Sequence, residues 1–208
     1  PIAVPKGEHT EAQINACGGC HSRRKGIGEI NPANNYHGQY SLRLLDDPLY
    51  YADGQIQDEV FVLGSFMQSK MHQRGVVCSN CHEPHSLKLR ADGNGVCAQC
   101  HRPDIFDQSS HHRHAQNSTG AQCVNCHMPE TTYMVVDPRR DHSLRIPRPD
   151  LSEKFATPNA CNQCHQDKTA HWASNVVASW KNTTPTESGF KRPHFSEQLA
   201  AGLSLAQN

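Results

Sequence analysis

Cys78-Ser-Asn-Cys81-His82 and Cys97-Ala-Gln-Cys100-His101 stand close together in the chain, and the reading of this doubled unit decides the fold. The same form recurs at Cys17-Gly-Gly-Cys20-His21, Cys123-Val-Asn-Cys126-His127 and Cys161-Asn-Gln-Cys164-His165. C-x-x-C-H is the attachment signature of a c-type haem. Two thiols add across the two vinyl groups of one porphyrin, and the next residue brings its imidazole to the iron. A zinc ribbon or a thiol redox pair needs no histidine after each cysteine pair. Five copies use all 10 cysteines, so every sulfur is assigned to a thioether and none remains for a disulfide framework.

Composition agrees with that assignment. Of 208 residues only 36% are hydrophobic and 6% aromatic, which is little material for an ordinary core, whereas 15 are His. Lys plus Arg and Asp plus Glu are 20 each, so the formal charge is zero and nothing favours nucleic acid as a partner. No run reaches the ~18 apolar residues of a membrane span. The chain begins at Pro1 rather than Met, which reads as a processed or truncated form whose export signal has gone. Covalent haem is attached after export, so a periplasmic or extracellular location is expected.

The expected architecture is mostly irregular with a few α-helices and little β: a compact multihaem cytochrome fold organised around stacked c-type haems. Residues 1–208 read as one pentahaem domain. Within it, 1–77 hold the first motif and a long insertion, 78–165 the motif cluster, and 166–208 the C-terminal helices and tail. Helices are expected over 57–73, with Met67 and Met71 in the core; over 167–181, with Trp172, Val176 and Trp180 as a stripe against the fifth haem; and over 196–206, with Ser196 as N-cap. Thr131 to Val136 is the run that resembles a strand.

His21, His82, His101, His127 and His165 are the proximal iron ligands, and each iron needs a sixth ligand. Histidine is the expected type. The candidates are His37, His72, His85, His111, His112, His114, His142 and His194. His85 follows a motif so closely that it could reach only a neighbouring haem, and His142 lies among Arg139, Arg140 and Asp141. His9 and His171 read as surface or outer-sphere residues. Arg139, Arg140 and Arg145 are candidates for pairing with propionates.

Tyr51-Ala-Asp-Gly-Gln-Ile-Gln-Asp-Glu59, Gly64-Ser-Phe-Met-Gln-Ser-Lys-Met71, Cys81-His-Glu-Pro-His-Ser-Leu-Lys-Leu89, Cys126-His-Met-Pro129, Arg140-Asp-His-Ser143, Arg145-Ile-Pro-Arg-Pro-Asp150 and Thr157-Pro-Asn-Ala-Cys161 carry a resemblance. They are similar to multihaem cytochromes with doubled C-x-x-C-H motifs, in particular the haem region of those fused to tetratricopeptide repeats. The sequence stops where the repeats would begin. The resemblance implies bis-histidine haems that carry electrons, and it supports His85, the His111–His114 cluster and His142 as ligand positions.

Electron transfer without bond-making chemistry is therefore the expected function, in an exported respiratory chain, with redox proteins or an extracellular acceptor as partners. The chain reads as an electron carrier rather than an enzyme. The alternative is a reductase of nitrite, hydroxylamine or a related small oxyanion with one open haem, but no motif shows the lysine that often marks such a site. A further expectation is self-association into an extracellular haem filament, with a distal histidine donated by the neighbouring subunit.

Overall fold

The computed structural model describes residues 10–31, 34–180 and 193–206. Helix predominates, and the strands among the described residues form three short antiparallel ribbons, in agreement with an irregular, mostly helical fold. The contacts divide the chain into two units. One comprises Pro1–Leu44 with Glu59–Arg145, and the other Leu45–Asp58 with Ile146–Asn208.

The first unit carries four of the five motifs. Its helix Thr10–Cys17 runs directly into the first of them. Arg24–Gly26 pairs with Tyr40–Leu42, with Lys25 opposite Ser41. The apolar core is small: Ile14, Tyr36 and Leu63 are buried, and Tyr40, Leu42 and Met67 pack against them. Met67 is thus a core residue, as its spacing suggested. Tyr36 also closes a buried polar contact, its hydroxyl 2.8 Å from Ser22 Oγ.

The helix expected over 57–73 is shorter and broken. It starts at Leu63, stops at Gln68 and resumes as Lys70–Gln73. Upstream, the main chain is committed elsewhere. The Arg23 amide donates to the Val60 carbonyl at 3.1 Å, the Leu63 amide donates to the His21 carbonyl at 3.0 Å, and Phe61 takes φ 59°. A left-handed residue cannot continue a right-handed helix. The break at Ser69 is itself a cap, because its extended backbone lets Oγ accept the His72 amide at 3.0 Å.

The strand-like run is realised as Glu130–Tyr133, paired with Asp137–Arg140 so that Tyr133 lies opposite Asp137. Two further ribbons were not apparent in the sequence: Arg24–Gly26 with Tyr40–Leu42, and His82–Glu83 with Lys88–Leu89. Strands of two or three residues leave too short a pattern for alternation to show.

In the second unit, Pro149–Phe155 packs along Ala170–Trp180, burying Leu151, Ser152, Ala173, Ser174 and Ala178. Pro149 suits the first helical turn because its missing N–H would be unsatisfied there in any case. The helix ends at Ala156, whose φ of 55° forms a left-handed cap. Asn159 then caps Ala160–Cys164, its Oδ1 accepting the Asn162 amide at 3.0 Å. The final helix spans Phe195–Ala206, and its cap is His194 rather than Ser196. The Ser196 amide donates to His194 Nδ1 at 3.4 Å, while Glu197 Oε2 accepts the His194 amide at 2.8 Å. This is the reciprocal logic of a capping box with an imidazole in the usual hydroxyl position.

Candidate haem-binding centres

Every motif forms one helical turn. The histidine amide donates to the carbonyl of the first cysteine at 3.0 Å for His21, 2.9 Å for His101 and 2.9 Å for His165. His82 makes the same bond to Cys78, and the fourth motif is a continuous helix over Cys123–His127. At about 100° per residue, positions i, i+3 and i+4 lie on one face of a turn. Two thiols and an imidazole therefore project together, as attachment to a single porphyrin requires. No disulfide joins any of the ten cysteines. Among the described residues no three His, Cys, Asp or Glu side chains gather as a zinc site would demand.

The motifs of the first unit lie against one another. The Cys17 and Cys78 thiols are hydrogen-bonded, which lowers Cys17 to about 7 against the opposing effect of burial and pushes Cys78 up. Burial, the charge of Cys123 and a thiol hydrogen bond to it raise Cys97 to about 11. Carboxamides join the turns. Gln13 Nε2 donates to Ser79 Oγ at 2.5 Å, and Gln13 Oε1 accepts the Ser79 amide at 3.0 Å. Asn94 Nδ2 donates to the Ala121 carbonyl at 2.9 Å, and Asn94 Oδ1 accepts the Cys123 amide at 2.9 Å. Neither side chain stood out in the sequence. The only signal was an amide residue three or four positions before the first cysteine.

Two motif histidines have a second imidazole beside them. The rings of His82 and His142 are 6.3 Å apart between centres, with planes 23° apart. Those of His127 and His111 are 6.2 Å apart at 13°. His127 Nδ1 lies 2.9 Å from the Arg145 carbonyl, and His142 Nδ1 lies 2.9 Å from the Arg140 carbonyl. A carbonyl only accepts, so in both rings Nδ1 carries the hydrogen and Nε2 keeps the lone pair that a metal needs. Burial lowers the pKa of His142, His82 and His111, favouring the neutral, ligating form.

The other candidates are placed by different contacts. His72 packs edge-on to Phe66 at 5.3 Å, and its Nε2 is buried with no hydrogen-bond partner among the described residues. His112 Nε2 is likewise buried and unpartnered, but its Nδ1 accepts the His114 amide at 3.2 Å, a bond that ligation through Nε2 would have to give up. His114 Nδ1 donates to the His112 carbonyl at 2.5 Å. His85 is exposed and donates Nδ1–H to Glu83 at 3.0 Å. His37 is exposed beside Tyr36, its ring 5.0 Å away edge-on. His194 caps the last helix, His171 pairs with Glu153 at the surface, and His9 lies outside the described residues.

In the second unit the His165 ring is 5.0 Å from Trp172. Trp172, Val176 and Trp180 are left partly exposed while Ala173, Ser174 and Ala178 turn inward, so the expected stripe does lie away from the packed face. The arginines already have protein partners. Arg139 pairs with Glu59 and Asp137, each at 2.6 Å, and lies over the Phe61 ring, while Arg140 reaches Asn125 at 3.0 Å and Glu130 at 3.7 Å.

Residues 71–106 match the family described as Doubled CXXCH motif. No curated protein matches the chain in sequence. Among solved structures the chain is similar to the Outer Cell Wall Cytochrome OcwA, with a TM-score of 0.59 and 15% identity. The likeness covers 86% of this chain and 53% of that one, so the chain spans about half the length of the cytochrome it matches. The protein thus carries a doubled C-x-x-C-H haem-binding segment on the fold of a multihaem c-type cytochrome.

Proposed function

We propose that this protein is an electron carrier with five covalent haem c groups, one on each C-x-x-C-H turn, held by pairs of histidines and placed in an exported respiratory chain. The observation that carries this reading is the spacing of the two imidazole pairs. Two metal–imidazole bonds of about 2 Å, plus the half-width of each ring, span about 6 Å between ring centres. The 6.3 Å of His82 and His142 and the 6.2 Å of His127 and His111 agree with that span. His142 is accordingly the sixth ligand opposite His82, and His111 the sixth ligand opposite His127.

His72, with its buried and unpartnered Nε2, is the favoured sixth ligand for one of the remaining irons. His37, His85, His112, His114 and His194 are the candidates for the others. When bound, haem c supplies reversible one-electron chemistry at iron. The chain's own task would be to supply two histidines to each iron, which would leave no ligand position for a small substrate. The likeness to a cytochrome of the outer cell wall supports a place at or beyond the cell envelope. No helix among the described residues is long and apolar enough to cross a membrane.

The test combines haem stoichiometry from intact mass with ferric electron paramagnetic resonance. Five thioether-linked haems and low-spin signals alone are expected. A stoichiometric high-spin signal at neutral pH would instead identify an open iron, and with it the reductase reading.

A further inference from the structure

We infer that the carboxamides of Gln13, Gln99 and Asn94 clamp the first four C-x-x-C-H turns to one another in chain order, so that the groups they carry form one continuous electron path through this unit. This rests on the haem reading above and goes beyond it by naming the route and the residues that hold it.

Each junction has its own amide. Between the first and second motifs, Gln13 is 4% exposed and makes the two-point contact with Ser79, inside Cys78–Cys81. Between the third and fourth, Asn94 spans the Ala121 carbonyl and the Cys123 amide, and its Nδ2 also reaches Asp107 Oδ1 at 3.0 Å. Between the second and third, Gln99 Nε2 donates to the Asn80 carbonyl at 3.3 Å. Gln99 lies inside the third motif and Asn80 inside the second, so this bond joins the two turns directly. It is also single and exposed, which makes the middle junction the loosest of the three.

A carboxamide suits this task for two reasons. It presents a donor and an acceptor side by side, so one side chain can fix both the separation and the rotation of two turns. It is also uncharged. Each haem changes by one charge on reduction, and an ion-pair clamp would tighten or slacken with every electron. A neutral amide holds the same geometry in both redox states. Gln13, Gln99 and Asn94 are positioning residues, because none is itself placed to touch iron.

The test uses the full-length holoprotein and reads the bisignate Soret circular dichroism that closely spaced haems produce. Gln13→Met and Asn94→Leu remove the clamps at nearly constant volume. Ser79→Ala and Asn94→Ala are alternative versions should the first two fail to fold. The expected result is an unchanged haem count and an unchanged low-spin spectrum, with loss of Soret couplet intensity in the clamp variants and none in Gln116→Leu, a surface control. An undiminished couplet in all clamp variants would overturn the inference. So would a wild-type protein that carries its haems but shows no couplet, and that result would leave the electron-carrier reading standing. Absence of covalent haem from the wild type would overturn both.

Discussion

The imidazoles of His82 and His142 lie ring to ring, 6.3 Å between centres, although sixty residues separate them in the chain. His142 is held there by its own neighbours. Asp141 is buried and its Oδ1 accepts the Ser143 amide at 2.7 Å, while the Arg140 carbonyl takes the Nδ1 hydrogen at 2.9 Å. The turn that presents His142 is therefore built from the residues on either side of it.

Removal of this ring tests the assignment. His142→Ala is expected to convert about one haem in five from low-spin to high-spin, with haem content unchanged. His111→Ala should do the same at a second haem. His171→Ala, which removes an exposed partner of Glu153, should change nothing. Ferric electron paramagnetic resonance reads all three, and a purely low-spin His142→Ala would refute the pairing.

The ring planes give a second spectroscopic expectation. At 23° and 13° the paired imidazoles are close to parallel. Parallel axial planes lift the degeneracy of the two iron d orbitals that interact with them, whereas perpendicular planes leave it nearly intact. Two of the ferric haems should therefore show ordinary rhombic low-spin spectra. Highly anisotropic signals from every haem would contradict the arrangement.

The first motif contains an internal control on packing. A Cβ on Gly18 would lie 2.6 Å from the Ile14 carbonyl and 2.8 Å from the Tyr36 ring, both parts of the small core. At Gly19 the nearest atom is 3.8 Å away. Gly18→Ala should destabilise the protein by ~1–3 kcal/mol, as overpacking of a core does. Gly19→Ala should be nearly neutral. Thermal unfolding of the two variants side by side distinguishes them.

Acid sensitivity should appear at the C-terminal helix. Burial alone would raise the Glu197 carboxyl, but Lys154, the His194 amide and Arg148 outweigh it and bring the group from 4.5 down to about 2. A depressed carboxyl stabilises the fold above its unfolded pKa, and that contribution fades as pH falls from about 4.5 towards 2. Glu197→Gln should flatten this part of the stability profile and leave the protein weaker near neutrality. An unchanged profile in a pH series of unfolding curves would show that the cluster contributes nothing.

The sequence by itself determined the chemistry. Five C-x-x-C-H units take in every cysteine and five histidines, and each unit spans five consecutive residues and one helical turn. It also determined the helix around Trp172, whose amphipathic pattern extends over enough residues to be read. Only the tertiary structure decided that Phe61 turns left-handed and delays the next helix to Leu63, since the competing bonds come from Arg23 and His21, far away in the chain. The same holds for the site. That His142 and His111 stand beside motif rings depends on contacts between segments rather than on local spacing, while His37 lies against Tyr36 and His85 bonds Glu83. Gln13 and Asn94 are the extreme case: an amide side chain has no pattern of its own, and its role exists only once two distant turns are brought against it.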